Sequence, residues 1–343
     1  MEAGDDRSIF LSTMPATSRD RTIALGVVMV SAIFFAVTLP FSQVPLPPVP
    51  AFVASYQSAL AINDLITTIL LLSQFSLLRS RALLLLASGY LFTAVAAVVH
   101  ALTFPNLLSP SGLLNAGPQT TAWLYMVWHG GFPLFVLGYA LLKDKDGGRE
   151  IKGSAGESIV WAVLAVFAAI AAVIYVVTEQ HQLLPTLMTD KGYLPALLGA
   201  ALTVWLFNLV ALVVLWRRAP HSVLDIWLMV VLCAWLFDIA SSALLNANRY
   251  DFGFYLGRLY GLFAACFVLA ALLLQNINLQ ARLSRLLHTL RRESASEQRR
   301  HSERERLFSA VVESSNDAII TQALDGVITG DRKSTRLNSS HRR

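Results

Sequence analysis

Eight apolar stretches of 18 residues or more, separated by short polar connections, fill the chain from about Thr22 to Asn276. They cover about 22 to 39, 53 to 78, 82 to 103, 119 to 142, 157 to 178, 194 to 216, 222 to 245 and 253 to 276. A helix satisfies its own backbone hydrogen bonds and rises about 1.5 Å per residue, so each stretch is long enough to cross roughly 30 Å of hydrocarbon. The pattern predicts an all-α integral membrane fold, an eight-transmembrane-helix bundle. Past Asn276 it changes to Arg, Glu and Gln with no Gly or Pro before Gly326, which predicts a long charged helix over 277 to 312.

Composition points the same way. Hydrophobic residues make up 55% of the chain, charged residues only 14%, and the mean hydropathy is +0.56; a soluble domain carries nearer a quarter charged residues, so a large soluble bundle is excluded. Cys233 and Cys266 both fall inside predicted spans, which rules out a secreted disulfide framework and marks them as packing residues. The first span is followed by Pro40, Pro45, Pro47, Pro48 and Pro50 rather than a small-residue cleavage site, so it is expected to remain as an anchor.

Basic residues sit on alternate connections. Arg7, Arg19 and Arg21 lie in the tail 1–21, Arg79 and Arg81 after the second span, Lys143, Lys145, Arg149 and Lys152 after the fourth, and Arg217 and Arg218 after the sixth. Residues 40–52 and 104–118 contain no Lys or Arg, and the remaining two connections have only Lys191 and Arg249. Lys and Arg are retained on the cytoplasmic side, which predicts that both termini are cytoplasmic. The net charge of +5 is then accounted for by anionic headgroups at the membrane edge, with the lipid bilayer as partner and no nucleic acid.

Polar groups inside hydrocarbon cost several kcal/mol and demand partners or a wet cavity. In the second span, Gln57, Asp64, Thr68 and Gln74 fall near one helical face, with Asn63 beside them. The seventh carries Asp238, Ser242 and Asn246 at i, i+4 steps, and the eighth opens with Tyr255 and Arg258. Counting depth from the helix ends predicts an Asp238–Arg258 ion pair, acting either as a clamp between helices or as a ligand contact. His100 and His129 lack any metal-site spacing, so no metal or cofactor is expected. No nucleotide loop, nucleophile elbow or acidic catalytic cluster occurs, so no catalytic residue is assigned. Pro133 and Pro195 do not form the paired helix breaks that would favour a transporter.

On the charged helix, Leu279, Leu283, Leu286 and Leu290 follow a 4-3-4 spacing, and Leu307 and Val311 return in the same phase. That seam fits a parallel homodimeric coiled coil, interrupted by Glu293, Glu297, Arg300 and Arg304; a solvated single helix is the alternative. His288 and His301 have no phosphoacceptor surroundings and read as solvated positions.

The run AFVASYQSALAINDLITTILLLSQFSLLRSRALLLLASGYLFTAVAAVVH, residues 51–100, continued by Thr103-Phe104-Pro105, resembles the membrane-associated sensor domains of the MASE type, the fourth type in particular, and the resemblance extends over about Arg21 to Gln275. It implies a multi-pass input domain of the bacterial inner membrane and names no stimulus; an unknown small-molecule or membrane-borne stimulus is the expected partner. The implied output is a sensor histidine kinase, with a response regulator as partner, or a diguanylate cyclase. Residues 306–330, RLFSAVVESSNDAIITQALDGVITG, are similar to the opening of a PAS domain. Ala318 to Thr321 predicts a strand and Asp325-Gly326 a turn into Val327-Ile328-Thr329. The similarity stops at Gly330, and a PAS core needs roughly 100 residues to bury its sheet, so 313–330 is read as an incomplete α+β start with no assignable cofactor. Residues 331–343, beginning DRKSTRLNSSH, read as the translation of a sequencing adapter. The sequence thus describes the input half of a sensor protein, with a transporter or membrane enzyme carrying a regulatory tail as the alternative of another class.

Overall fold

The computed structural model describes residues 10–143, 153–189, 192–314, 319–322 and 328–332. It divides into two units, Met1–Asn276 and Ile277–Arg343. Helices α1 (Ser18–Thr38), α2 (Pro50–Leu78), α3 (Arg81–Thr103), α4 (Thr120–Leu142), α5 (Ala155–Thr178) and α6 (Pro195–Arg217) match the predicted spans to within a few residues, α7 (Val223–Ile239) stops short of residue 245, and α8 (Phe252–Ser314) takes in the eighth span and the predicted charged helix. Of the basic residues in the predicted connections, Arg7, Lys145, Arg149, Lys152 and Lys191 lie outside the described residues.

Local chemistry sets the helix starts. Thr17 with Asp20 and Ser222 with Asp225 each form a reciprocal capping box at the first turn of α1 and α7. Ser80 accepts the Leu83 N–H to open α3, and Pro50 and Pro195 occupy first-turn positions of α2 and α6, where no N–H is needed. Arg79 ends α2 at φ 54°, reversing the chain into α3 within two residues.

Burial separates inner from outer helices. Within the most apolar window of each, 72% of α3, 67% of α7 and 61% of α4 is buried, against 11% for α1 and for α5. Helix α3 earns its central place through small residues, Ala87, Gly89, Ala94, Ala96 and Ala97, which let its neighbours approach closely. Trp128, Phe132, Phe75, Leu83 and Leu86 fill the core between α2, α3 and α4. Helices α1 and α5 are apolar around their circumference and present most of it outward, as lipid-facing helices do.

One end of the bundle gathers the connections 39–49, 104–119, 179–189 with 192–194, and 245–251. Here β1 (Met188–Thr189) and β2 (Gly192–Tyr193) pair antiparallel. Gln119 holds β1 over the start of α4, its side-chain oxygen accepting from the Leu187 (2.8 Å) and Met188 (3.1 Å) N–H groups and its amide donating to the Met188 carbonyl at 2.7 Å. The proline-rich connection is tied in as well: Leu46 N–H donates to Tyr250 O at 3.1 Å and Phe252 N–H to Val44 O at 2.8 Å. Helix α7 ends in a π-helical turn, Ala240–Leu244, at this same end; such turns frequently accompany functional sites.

In the second unit, α8 runs on to Ser314. Leu286, Leu290, Leu307 and Val311 on it are 60% to 66% exposed. Leu279 and Leu283 lie on the same helix, with side chains outside the described set. Strands β3 (Ile319–Gln322) and β4 (Ile328–Arg332) pair antiparallel, Ile319 opposite Arg332, with a register slip at Thr321/Gln322. They lie within a residue or so of the predicted strand starts, although β4 continues through Asp331 and Arg332, two residues into the stretch read as an adapter. The predicted Asp325-Gly326 turn and residues 333–343 lie outside the described residues.

Candidate functional site

The polar face expected on α2 is buried throughout, and each member finds a partner on another turn or helix. Asp64 accepts a 2.6 Å hydrogen bond from Thr93 on α3, Gln57 is hydrogen-bonded to His100 Nδ1, and Gln74 donates to Gln275 on α8 at 3.3 Å. Thr68 bonds back to the Asp64 carbonyl. Asn63 reaches Cys266 Sγ.

The expected Asp238–Arg258 pair does not form. Asp238, 1% exposed, instead pairs with His129, whose Nε2 lies 3.2 Å from Oδ2. Tyr125 Oη donates to Asp238 Oδ1 at 3.2 Å and Ser242 Oγ does so at 3.1 Å, while the two hydroxyls are 2.7 Å apart. His129 Nδ1 faces the Tyr125 carbonyl at 2.9 Å. A carbonyl can only accept, so Nδ1 is the donor in this contact. The imidazole is clamped between Tyr125 (ring centroids 3.8 Å apart), Trp128 (4.7 Å) and Trp235 (4.9 Å).

The reason for the miss is rotation about α8. Counting residues placed Asp238 and Arg258 at similar depth, but the face of α8 turned to Asp238 carries glycines. A Cβ on Gly257 would lie 2.5 Å from Asp238 Oδ1 and 2.8 Å from the Asp238 carbonyl oxygen, and one on Gly261 3.1 Å from Oδ2. Gly253, Gly257 and Gly261 recur every fourth residue, a small-residue stripe that lets two membrane helices touch backbone to backbone. That spacing was readable in the sequence and is the signal for this contact. Arg258, about 100° further around the helix, turns to the aromatic side: its guanidinium carbon lies 3.4 Å from the Phe254 ring centroid and 5.6 Å from that of Tyr125.

The other expected members of the polar cluster separate. Asn246 is buried, but its amide donates to the Asn248 carbonyl and shapes the connection after α7. Tyr255 is tied to the proline-rich connection, donating to Pro47 O at 2.8 Å and accepting from Val49 N–H at 3.1 Å. Sequence reasoning also passed over Asp225, 1% exposed near the opposite end of α7, which takes hydrogen bonds from Lys143 Nζ (2.8 Å) and Tyr139 Oη (2.9 Å).

Arg258 lines a cavity of about 40 Å³ with Arg249, His100, Thr121, Tyr125 and Ser242. Arg249, in the connection between α7 and α8, donates to Thr121 Oγ1 at 3.0 Å and stands 5.0 Å from the Phe104 ring centroid. Burial pushes its guanidinium below arginine's ordinary value; the tyrosines beside it oppose that shift and the charge of Arg258 adds to it.

A family model for a membrane-associated sensor, the integral membrane domain MASE4, matches residues 47–280. The chain belongs to the MASE4 family. The match takes in α2 to α7 and the apolar part of α8, with the Tyr125–His129–Asp238 cluster and the two-arginine cavity inside it. Helix α1 precedes the matched range, whose first residue is Pro47 rather than the neighbourhood of Arg21. Neither the curated proteins nor the solved structures returned a significant match. As a MASE4 domain, the membrane unit is a multi-pass sensory input of a signalling protein.

Proposed function

We propose that this MASE4 domain is the input half of a sensor histidine kinase, passing a stimulus perceived at the polar cluster of Asp238, Ser242 and Arg258 along α8 to a PAS domain and the kinase core. Gln57 and Asp64 brace α2 against α3 in this reading, and Asn246 and Tyr255 hold the connections at the loop end. The observation that carries it is covalent continuity within one helix. Helix α8 contributes Arg258 and the glycine stripe to the membrane cluster and the exposed Leu286, Leu290, Leu307 and Val311 beyond it. Apolar residues left exposed at heptad spacing on a charged helix support a homodimeric seam.

The basic connections support cytoplasmic termini in a bacterial inner membrane. The likeness of residues 306–330 to a PAS opening, together with the β3–β4 pairing, supports the PAS reading. A diguanylate cyclase output is served equally by this input.

The test has two arms. Single cysteines placed from 284 to 311 and oxidised in native membranes should crosslink between protomers at 286, 290, 307 and 311 and not at 288 or 292; crosslinking without helical periodicity removes the dimeric relay. For the output, the complete gene product incubated with ATP should acquire an acid-labile phosphoryl group on histidine. Production of cyclic diguanylate from GTP instead assigns the cyclase.

A further inference from the structure

We propose that the cavity lined by Arg258 and Arg249 is an anion site that takes the carboxylate of a small organic acid. The inference deepens the sensor reading by naming the chemical class of ligand, and rests on that reading only for its signalling consequence.

The first argument is charge. Arg258 is 6% exposed and makes one hydrogen bond, from a terminal nitrogen to the Phe254 carbonyl at 2.8 Å. A guanidinium has five N–H donors and keeps its charge in proteins. Among the described residues neither Arg258 nor Arg249 has a carboxylate within 4.0 Å. The acidic groups nearby are engaged elsewhere: Asp238 by His129, Tyr125 and Ser242, and Asp251 by the Asn248 N–H at 2.8 Å. No Asp or Glu lines the cavity. Two cations brought together in a low-dielectric wall without a counter-charge are costly, and an anion between them removes that cost.

The second argument is geometry. Arg258 Cζ lies 3.4 Å from the Phe254 ring centroid and Arg249 Cζ 5.0 Å from that of Phe104, and the hydrogen bonds described for the two side chains use one terminal nitrogen of each guanidinium. An edge-on pair of N–H groups is the complement of a planar carboxylate. Thr121, Ser242 and His100 add further polar atoms around the same space, and Phe104, Phe254 and Met188 give it apolar walls. A water needs roughly 10–15 Å³ measured this way, so about 40 Å³ holds a few waters or one carboxylate group.

The third is connection. Tyr125 offers its ring to Arg258 and its hydroxyl to Asp238 and Ser242. An anion that draws Arg258 toward it shifts a residue of α8 against a side chain that couples α4 to α7.

The full chain in lipid nanodiscs should be titrated with acetate, benzoate, inorganic phosphate and chloride at constant ionic strength, with Kd from calorimetry and the thermal midpoint read in parallel. Acetate or benzoate should bind and raise the midpoint. Arg258→Gln should weaken binding by about 10- to 100-fold, the size expected for losing charge-assisted hydrogen bonds. Arg249→Gln should act in the same direction, and Arg258→Lys, which keeps the charge and loses the fork, should fold and still bind at least about tenfold more weakly. Equal binding by Arg258→Lys and the wild type, saturation by chloride or phosphate alone, or no binding of any of the four overturns the proposal. Carboxylate binding without any change in the α8 crosslinking pattern preserves the site and removes the sensor relay. A stimulus-dependent crosslinking change without anion binding does the reverse.

Discussion

Removing Asp238 measures what the membrane cluster contributes and to whom Asp238 is coupled. In Asp238→Ala, the His129 imidazole loses a partner at 3.2 Å and keeps only the Tyr125 carbonyl, while the Tyr125 and Ser242 hydroxyls retain each other at 2.7 Å. Breaking a fully buried pair costs about 3–5 kcal/mol in soluble proteins, whereas hydrogen bonds between membrane helices average about 0.6 and reach about 1.7 kcal/mol. The lower scale fits the two hydroxyls, which are still satisfied. The higher one fits the stranded imidazole, so the single substitution should cost about 2–4 kcal/mol. The decisive quantity is the coupling in a double-mutant cycle, which cancels effects that either substitution has alone. With His129→Ala it should be about 1–2 kcal/mol; with Arg258→Gln it should be under about 0.5 kcal/mol, because Tyr125 stands between them. Reversible unfolding in mixed micelles, followed by tryptophan fluorescence, reads both cycles. A larger coupling to Arg258 than to His129 would refute the arrangement of the cluster described above.

The glycine stripe makes a paired prediction: Gly257→Ala should destabilise by about 1–3 kcal/mol through forced separation of α7 and α8, since its Cβ has nowhere to go. Gly26→Ala, where nothing lies within 4 Å, should be neutral or slightly stabilising in the same unfolding assay. Lys143→Met removes the ammonium at 2.8 Å from Asp225, which keeps the Tyr139 hydroxyl and the Ser222 N–H, and should cost about 1.5–3 kcal/mol in melting experiments. At Tyr193, outside the spans, burial raises the phenol above its ordinary value while the charges of Arg258 and Arg249 pull the other way. The folded state therefore holds its proton longer than the unfolded chain, the associated stability is complete below pH about 10 and falls as pH rises further, and absorbance titration at alkaline pH should show Tyr193→Phe removing a late-titrating phenol.

Much of the fold was legible because apolarity over a span is a local property. Each predicted helix appears, and the capping residues Thr17, Ser80 and Ser222 and the first-turn prolines 50 and 195 place the starts within a few residues. Gln57, Asp64 and Gln74 lie on a buried face of α2, since a helix that exposed them to hydrocarbon would be destabilised by each one. What the pattern did not say is whom they meet. Thr93 and His100 are ordinary residues of an apolar helix until α3 is laid against α2.

Asp238 shows where the boundary falls. Its depth follows from a rise per residue, and so does that of Arg258, and both are calculable from the chain alone. Their relative azimuth is a property of two docked helices: Gly257 and Gly261 let α8 close on Asp238, the rotation that achieves this turns Arg258 toward Phe254 and Tyr125, and α4 delivers His129 from more than a hundred positions away. The sequence by itself determined how many helices cross, roughly where each begins, and which polar groups must be shielded. Only packing decided that two arginines would share a cavity with no acid in it, because the energy of a buried charge depends on neighbours that separate helices contribute.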